Sequence, residues 1–117
     1  MAVLVILRVF SGRPDPEWTL TPSEEVELQR HLTASRVGVL TPSFTKEEAL
    51  GYRGFDLLIS KPDAETALHV YFGTIISEGV VRQDRGRSLE RWLLGTGSRH
   101  IGPDLSSYVS STISIRP

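Results

Sequence analysis

The sequence predicts an α+β fold, a single-domain sandwich in which helices lie on one face of a mainly antiparallel sheet. Short runs rich in β-branched and apolar residues recur along the chain, loops of hairpin length separate some of them, and other segments combine helix caps with helical apolar spacing. The chain has 117 residues, of which 39% are hydrophobic and 23% charged, and these are ordinary values for a globular domain. We therefore expect residues 1–117 to form one domain.

The first strand is predicted at residues 2–10, AVLVILRVF, which are apolar on both alternating faces until Arg8. Such a run is typical of a strand that is covered on both sides at the centre of a sheet. Residues 12–20 then lose all periodicity, and Pro14 and Pro16 remove two backbone donors while fixing the local angles. We predict a rigid connection there that is not a strand.

A helix is predicted after this connection, because TPSE at 21–24 has the pattern of a capping box with proline in the first turn. The helix extends through about Ala34 and places Leu28 and Leu32 on one face. The short apolar run VGVL at 37–40 predicts another strand.

Three further strands and a short helix are expected in the middle of the chain. A second capping box, TKEE at 45–48, predicts a one-turn helix that ends at Gly51. Strands at 52–60 and 67–76 are joined by a loop of hairpin length, and we expect them to pair antiparallel. VVRQ at 80–83 extends them into a meander.

The best amphipathic helix of the sequence follows the polar turn at 84–87. Ser88 is its expected cap, and three large apolar residues share its inner face, namely Leu89, Trp92 and Leu93. Gly95 or Gly97 is expected to end it, so that GTGSRHIG at 95–102 becomes a loop.

The C-terminal tail has two interpretations. Its apolar residues fit one face of a helix that is capped near Asp104, whereas its Ser, Thr and β-branched content also fits a strand. We favour the helix.

Composition and charge argue against several classes of function. Thirteen basic against fourteen acidic side chains give a net charge of -1, which does not favour nucleic acid as a partner. The chain has no cysteine, so a disulfide, a thiolate nucleophile and a cysteine-bound zinc are excluded, and the cytoplasm is the expected compartment. The first apolar run lacks the features of a signal peptide and is too short to span a bilayer, so we expect no membrane association.

The stretch FSGRPDPEW at 10–18 crowds a glycine, two prolines, three charged residues and a tryptophan behind the first strand. As a binding loop it would present an arginine and a tryptophan to a ligand at the end of the sheet. As a stiff turn it would pack Trp18 over the sheet edge and pair Arg13 with a neighbouring carboxylate. We favour the turn, and we expect Trp18 to be mostly buried and Arg13 to border any functional surface. The candidate ligand-binding residues are Arg13, Asp15, Trp18, Tyr52 and Arg53.

The three histidines, His31, His69 and His100, are scattered and show none of the spacings of metal sites, so we expect neither a metal nor a cofactor. His69 lies within a predicted strand. It is the general base in the alternative that the protein is an enzyme, with Asp15 or Asp56 as its partner. A structural, hydrogen-bonded histidine is the interpretation that we favour.

A group of arginines surrounds the start of the predicted helix at Ser88, and it comprises Arg82, Arg85, Arg87 and Arg91. One interpretation is an anion site at the helix N-terminus, to which Arg85, Arg87 and Arg91 contribute. The other interpretation, which we favour, is a set of ion pairs with Asp84 and Glu90 on a solvated surface.

Three segments, FSGRPDPEW at 10–18, GYRGF at 51–55 and LERWLL at 89–94, together resemble a group of small uncharacterised microbial proteins. The resemblance spans most of the chain, and the group has Asn where this chain has Asp15. It implies one compact domain, and because no activity is established for the group, it assigns a role to no residue.

The sequence contains no nucleophile elbow, P-loop or dinucleotide fingerprint. Our leading hypothesis is therefore a small cytosolic binding or interaction domain without a catalytic centre, whose partner is an unknown small ligand or protein. The alternatives are a metal-independent hydrolase or isomerase that uses His69 and a homo-oligomeric assembly subunit that pairs strands edge to edge.

Overall fold

The computed structural model describes residues 2–9, 14–37 and 52–113. Our predictions of a helix at 45–48 and of all but the first residue of the strand at 37–40 lie outside these ranges. The strands are β1 (Ala2–Leu7), β2 (Glu17–Thr19), β3 (Arg36–Val37), β4 (Phe55–Lys61), β5 (Ala64–Tyr71), β6 (Thr74–Ser77) and β7 (Val80–Gln83). The helices are α1 (Pro22–Ala34), α2 (Ser88–Ile101) and α3 (Pro103–Ile113), with a 3₁₀ turn at Arg85–Arg87 before α2.

The strands form one sheet in the order β2-β1-β4-β5-β6-β7-β3, and each neighbouring pair is antiparallel. This arrangement, with its helices, confirms the predicted α+β class. The register of the three neighbouring strands β1, β4 and β5 pairs Ile6 with Asp56 and Asp56 with His69. The register therefore brings side chains that are distant in the sequence into one row.

One face of the sheet is buried, and we call it the covered face. Alternate residues of the central strands point into the core from it, among them Val5, Leu57 and Val70. They meet aliphatic side chains of the helices, including Leu28, Leu93 and Val109. Each such side chain stabilises the fold by about 1.5 to 3 kcal/mol relative to an exposed position.

We call the other face of the sheet the open face. The prediction that the first strand is covered on both sides at the centre of the sheet was wrong. β1 is one strand away from the sheet edge, and Leu4 and Ile6 on its second side are only half-buried.

The connection after β1 also differs from the prediction, because residues 17–19 form strand β2. Trp18 pairs with Val5, and the strand can form there because the two prolines without N–H donors precede it.

The predicted strand at 67–76 is two strands. Phe72 and Gly73 both have positive φ, 52° and 79°, and they form a two-residue hairpin loop between β5 and β6. Only the glycine signalled this turn in the sequence. The predicted strand at 80–83 is confirmed as β7.

The predicted capping box of α1 is confirmed in both directions. The Thr21 amide donates to Glu24 Oε1 over 2.8 Å, and the Glu24 amide donates to Thr21 Oγ1 over 3.2 Å. Leu28 is buried and Leu32 half-buried on the shared face, so this helix was predicted correctly from its own sequence.

Helix α2 does not end at Gly95 or Gly97 as predicted, and residues 95–101 continue it to Gly102, whose φ is 81°. Gly97 is needed for close packing, because a Cβ atom there would lie 2.1 Å from Trp18 Cζ2. The glycine therefore admits an aromatic ring against the middle of the helix.

The start and the inner face of α2 also correct the prediction. The cap is the Asp84 carboxylate, which accepts hydrogen bonds from the amides of Leu89 (2.8 Å) and Glu90 (3.1 Å), so Ser88 is not the cap. Leu89 is buried as expected, but Trp92 is half-buried and donates through Nε1 to Glu27 of α1 over 2.7 Å.

The C-terminal segment is helical as favoured, and Val109 and Ile113 of α3 are buried. Across the described ranges, none of the helices combines the length and the apolar character that crossing a membrane requires.

Candidate functional site

A row of ionic side chains lies on the open face where β1, β4 and β5 adjoin, and we call Arg8, Asp15, Asp56 and His69 the ionic cluster. Arg8 directly follows β1, and its Nε donates to Asp56 Oδ2 over 2.5 Å. His69, opposite Asp56 on β5, has its Nδ1 2.6 Å from Asp56 Oδ1. Each oxygen of Asp56 thus binds a different partner.

Asp15 joins the cluster from the proline-flanked connection. Its Oδ1 accepts a hydrogen bond from the Val9 amide over 3.0 Å, and its Oδ2 lies 3.4 Å from Arg8 Nη1. Only 8% of its side chain is exposed. Asp15 therefore ties the connection to the end of β1 and holds the Arg8 guanidinium from the side opposite Asp56.

The charges of the cluster stabilise one another. The hydrogen bond from His69 lowers the pKa of Asp56, and Arg8 lowers it further, although burial opposes both. The hydrogen bond to Asp56 in turn raises the pKa of Arg8. Asp56 is consequently ionised at neutral pH and acts as a fixed acceptor between Arg8 and His69.

His69 is the member of the cluster with unused hydrogen-bonding capacity. Its side chain is 37% exposed, and in the neutral ring the proton on Nδ1 faces Asp56, which leaves Nε2 as an acceptor. Within the described part of the chain, Nε2 has no hydrogen-bond partner. A carboxylate-oriented histidine of this kind is suited to acid–base chemistry, and the partner that it contacts is Asp56, whereas Asp15 contacts Arg8.

Of the candidate binding loop at 10–18, the structure describes residues 14–18. Arg13 lies outside the described residues. Trp18 is 4% exposed, so its expected burial is confirmed. Its Nε1 donates to Thr96 Oγ1 over 2.9 Å, and the His100 ring stacks on it at 6.0 Å between centroids. The indole is thus part of the core and is not available to stack on a ligand.

Tyr52 and Arg53 differ in their burial. Tyr52 is 1% exposed, its hydroxyl donates to Glu90, and burial raises its pKa well above the usual value. Arg53 is half-buried, and its amide donates to the Arg8 carbonyl over 2.7 Å. Among the four predicted ligand-binding residues that the structure describes, Trp18 and Tyr52 are therefore buried in the core.

Around the start of α2, where an anion site was the less favoured interpretation of the sequence, Arg87 belongs to a network with Glu90 and Tyr52, which we call the buried network. Arg87 is 1% exposed and forms two hydrogen bonds to Glu90, of 2.8 Å from Nε and 2.6 Å from Nη2. Burial alone would lower the pKa of Arg87, but Glu90 raises it above the usual value. The helix amides already bind Asp84, and only Arg85 and Arg91 remain exposed.

Arg82 has a different environment from the other arginines of this group. It lies on the covered face of β7, opposite Ile75, and lines a groove of about 480 Å³ between α1 and the β6–β7 hairpin. We call this the α1–β7 groove, and its aliphatic lining consists of Leu32, Leu68, Ile75 and Val80. Arg82 is half-buried, and its guanidinium has no ion pair, hydrogen bond or ring contact with the residues that the structure describes.

The last turn of α1, which ends at Ala34, borders the groove through Leu32 and Thr33. Sequence reasoning grouped Arg82 with its neighbours along the chain and missed this setting. The signal was the alternation of VVRQ, which places Val80 and Arg82 on the same face of a strand. A smaller hollow of about 280 Å³ borders Glu27 and His31, and neither cavity includes the ionic cluster.

Comparisons with protein-family models, with curated proteins and with solved structures gave no match to this chain. Among the described residues, no group of three His, Asp or Glu side chains is arranged to hold a metal ion. The geometry of the groove and of the ionic cluster is therefore the basis for any functional assignment.

Proposed function

We propose that this protein is a small binding domain that holds an amphipathic carboxylate, a molecule with an apolar body and one anionic head, in the α1–β7 groove. The observation that carries the proposal is that Arg82 is half-buried and lines an aliphatic groove, while its guanidinium lacks a partner among the described residues. We further propose a cytoplasmic location, which the absence of cysteine supports.

The energetics favour such a ligand. A carboxylate bound to Arg82 forms charge-assisted hydrogen bonds, each contributing roughly 1.5 to 3 kcal/mol. The apolar body removes aliphatic surface of the ligand and of the groove from water, at about 25 cal/mol per Å². The groove volume of about 480 Å³ is also within the range of small-molecule sites.

Glu78 determines the orientation of the ligand in the groove. It lies exposed at the tip of the β6–β7 hairpin and borders the groove. Since a carboxylate head is repelled by Glu78 and attracted by Arg82, the head lies beside β7 and the apolar body extends over Leu68 and Ile75.

The experiment uses octanoate as the probe, with octan-1-ol and octylamine as ligands of equal chain length and different charge. Nuclear magnetic resonance titration should give saturable binding of octanoate and weaker binding of the other two. Arg82→Gln removes the cation but keeps the length of the side chain, and we expect about tenfold weaker octanoate binding. Arg85→Gln is the matched control, because Arg85 is exposed outside the groove.

Equal affinity for octanoate and octan-1-ol, or equal losses in the Arg82→Gln and Arg85→Gln variants, would contradict the proposal. The first result would remove the role of the anionic head, and the second would reduce it to a general effect of charge.

Acid–base catalysis at the ionic cluster is the second candidate function. The 2.6 Å contact between His69 and Asp56 favours it, because it orients a general base. We rank it second because the cavities described above lie elsewhere, and a catalyst needs a place that holds its substrate against the base.

A further inference from the structure

Two residues that line the α1–β7 groove carry opposite charges. Arg82 lies on β7, and Glu78 lies at the tip of the β6–β7 hairpin. Like the Arg82 guanidinium, the Glu78 carboxylate has no ion pair or hydrogen bond with the residues that the structure describes. The groove therefore offers a ligand a cation and an anion, each with its hydrogen-bonding capacity unused by the described chain.

Two neighbouring rows of the sheet separate these two charges. In the first row Arg82 pairs with Ile75, and in the second row, which is nearer the hairpin tip, Val80 pairs with Ser77. Arg82 is two residues beyond Val80 and four beyond Glu78, which corresponds to about 7 Å and at most about 13 Å along the strand. A ligand whose head binds Arg82 and whose body crosses Ile75 towards the hairpin tip thus brings its other end to Glu78.

The hairpin tip has an uncommon residue for its conformation. Glu78 and Gly79 form the loop between β6 and β7, and both have positive φ, 50° and 80°. Asn, Asp or Gly usually occupies the first position of such a turn. Glutamate is longer than these residues, and here it borders the groove. Unfavoured backbone conformations cluster at functional sites, and this supports a role for the Glu78 side chain.

We propose that the ligand of the α1–β7 groove is an ω-amino carboxylate, whose carboxylate binds Arg82, whose methylene chain covers Ile75 and whose ammonium group reaches Glu78. This inference rests on the proposed function, because it needs the same groove and the same anionic head. It adds the chemistry of the other end of the ligand. A cation there is attracted by Glu78, whereas a second carboxylate is repelled.

The test compares ω-aminooctanoate with ω-hydroxyoctanoate, which has the same carboxylate and chain but a neutral end. Because Glu78 is exposed, solvent weakens its contact, and we expect the amino compound to bind roughly threefold more tightly at low ionic strength. Glu78→Gln should abolish this preference. Glu65→Gln, an equal charge change at an exposed residue of β5 outside the groove lining, should preserve it. Arg82→Gln should weaken both compounds by the same factor.

The outcomes separate this inference from the proposed function. Octanoate binding that depends on Arg82, together with equal affinities for the amino and hydroxy compounds, would overturn the assignment of the ammonium group alone. A preference for the amino compound that survives in Glu78→Gln would do the same. If neither octanoate nor the two ω-substituted compounds bind, the proposed function fails as well.

Discussion

The buried network and the ionic cluster both place an arginine beside a carboxylate, but they differ in how much of their hydrogen-bonding capacity is used. In the buried network Glu90 binds Arg87 through both oxygens and also accepts from the Tyr52 hydroxyl, at no more than 1% exposure for each residue. In the described part of the chain, no buried side-chain polar atom lacks a hydrogen bond. A network of this kind stabilises one packing arrangement and has nothing left for a ligand.

In the ionic cluster, by contrast, part of the hydrogen-bonding capacity is unused. Arg8 is 42% and His69 37% exposed, and His69 keeps a nitrogen that binds no described residue. Solvent weakens each ion pair here, so the cluster contributes little to folding but remains open to interaction. The burial of an arginine and of its partners, and how completely their hydrogen-bonding groups are used, therefore distinguish a structural arginine from an accessible one more clearly than the sequence does.

Breaking the buried network should have the largest effect. Arg87→Leu leaves the fully buried carboxylate of Glu90 without its cation, and we expect a loss of about 3 to 5 kcal/mol in the free energy of unfolding, measured with urea. Arg85→Leu is the control, because Arg85 is exposed two residues away, and it should change stability by less than about 0.5 kcal/mol. Similar small losses in both variants would show that Glu90 does not depend on Arg87.

Breaking the ionic cluster should cost much less and should depend on pH. Asp56→Asn is expected to lower the free energy of unfolding by roughly 1 kcal/mol or less at neutral pH. Because the pKa of Asp56 is lower in the folded than in the unfolded state, its contribution is present above about pH 4 and disappears as the pH falls through the folded pKa.

Urea titrations of the parent and of Asp56→Asn between about pH 3 and about pH 7 would follow this difference. The two stabilities should converge at the acidic end. A difference that grew towards low pH would mean that the native state binds the proton of Asp56 more tightly than the unfolded chain does, contrary to the geometry.

His69→Gln should have the smallest effect on the free energy of unfolding. It also tests whether His69 has a function other than its hydrogen bond to Asp56. The glutamine amide can still donate to Asp56, so we expect stability to change by less than about 0.5 kcal/mol. Octanoate affinity should be unchanged, because His69 and the groove lie on opposite faces of the sheet. If a catalytic activity is found and a folded His69→Gln protein loses it by orders of magnitude, acid–base catalysis becomes the leading function.

Elements whose signals are local were predicted from the sequence. The capping box of α1 and the strand at 80–83 depend on residues within one or two turns of each other, and both formed as expected. Strand β2 was missed because its formation depends on pairing with β1, which residues 17–19 do not encode alone. The length of α2 was missed because Gly97 serves a contact with Trp18, far away along the chain.

The candidate sites were predicted only in part, for the same reason. His69, Asp15 and Asp56 were named as possible partners, but the sheet register that brings His69 to Asp56 is a property of paired strands. Arg82 and Arg87 look alike in the sequence. Arg87 is enclosed with Glu90, whereas Arg82 lines the groove that the last turn of α1 borders. Their difference is set by tertiary packing.

The first edge of the sheet, strand β2, has a consequence for how the protein behaves at high concentration. An exposed sheet edge is a template on which other chains add strands and begin to aggregate. Here the edge strand is only three residues long, Pro14 and Pro16 precede it without N–H donors, and Trp18 anchors it against α2. Few free backbone groups remain there to pair with another chain, so the addition of strands at this edge is disfavoured.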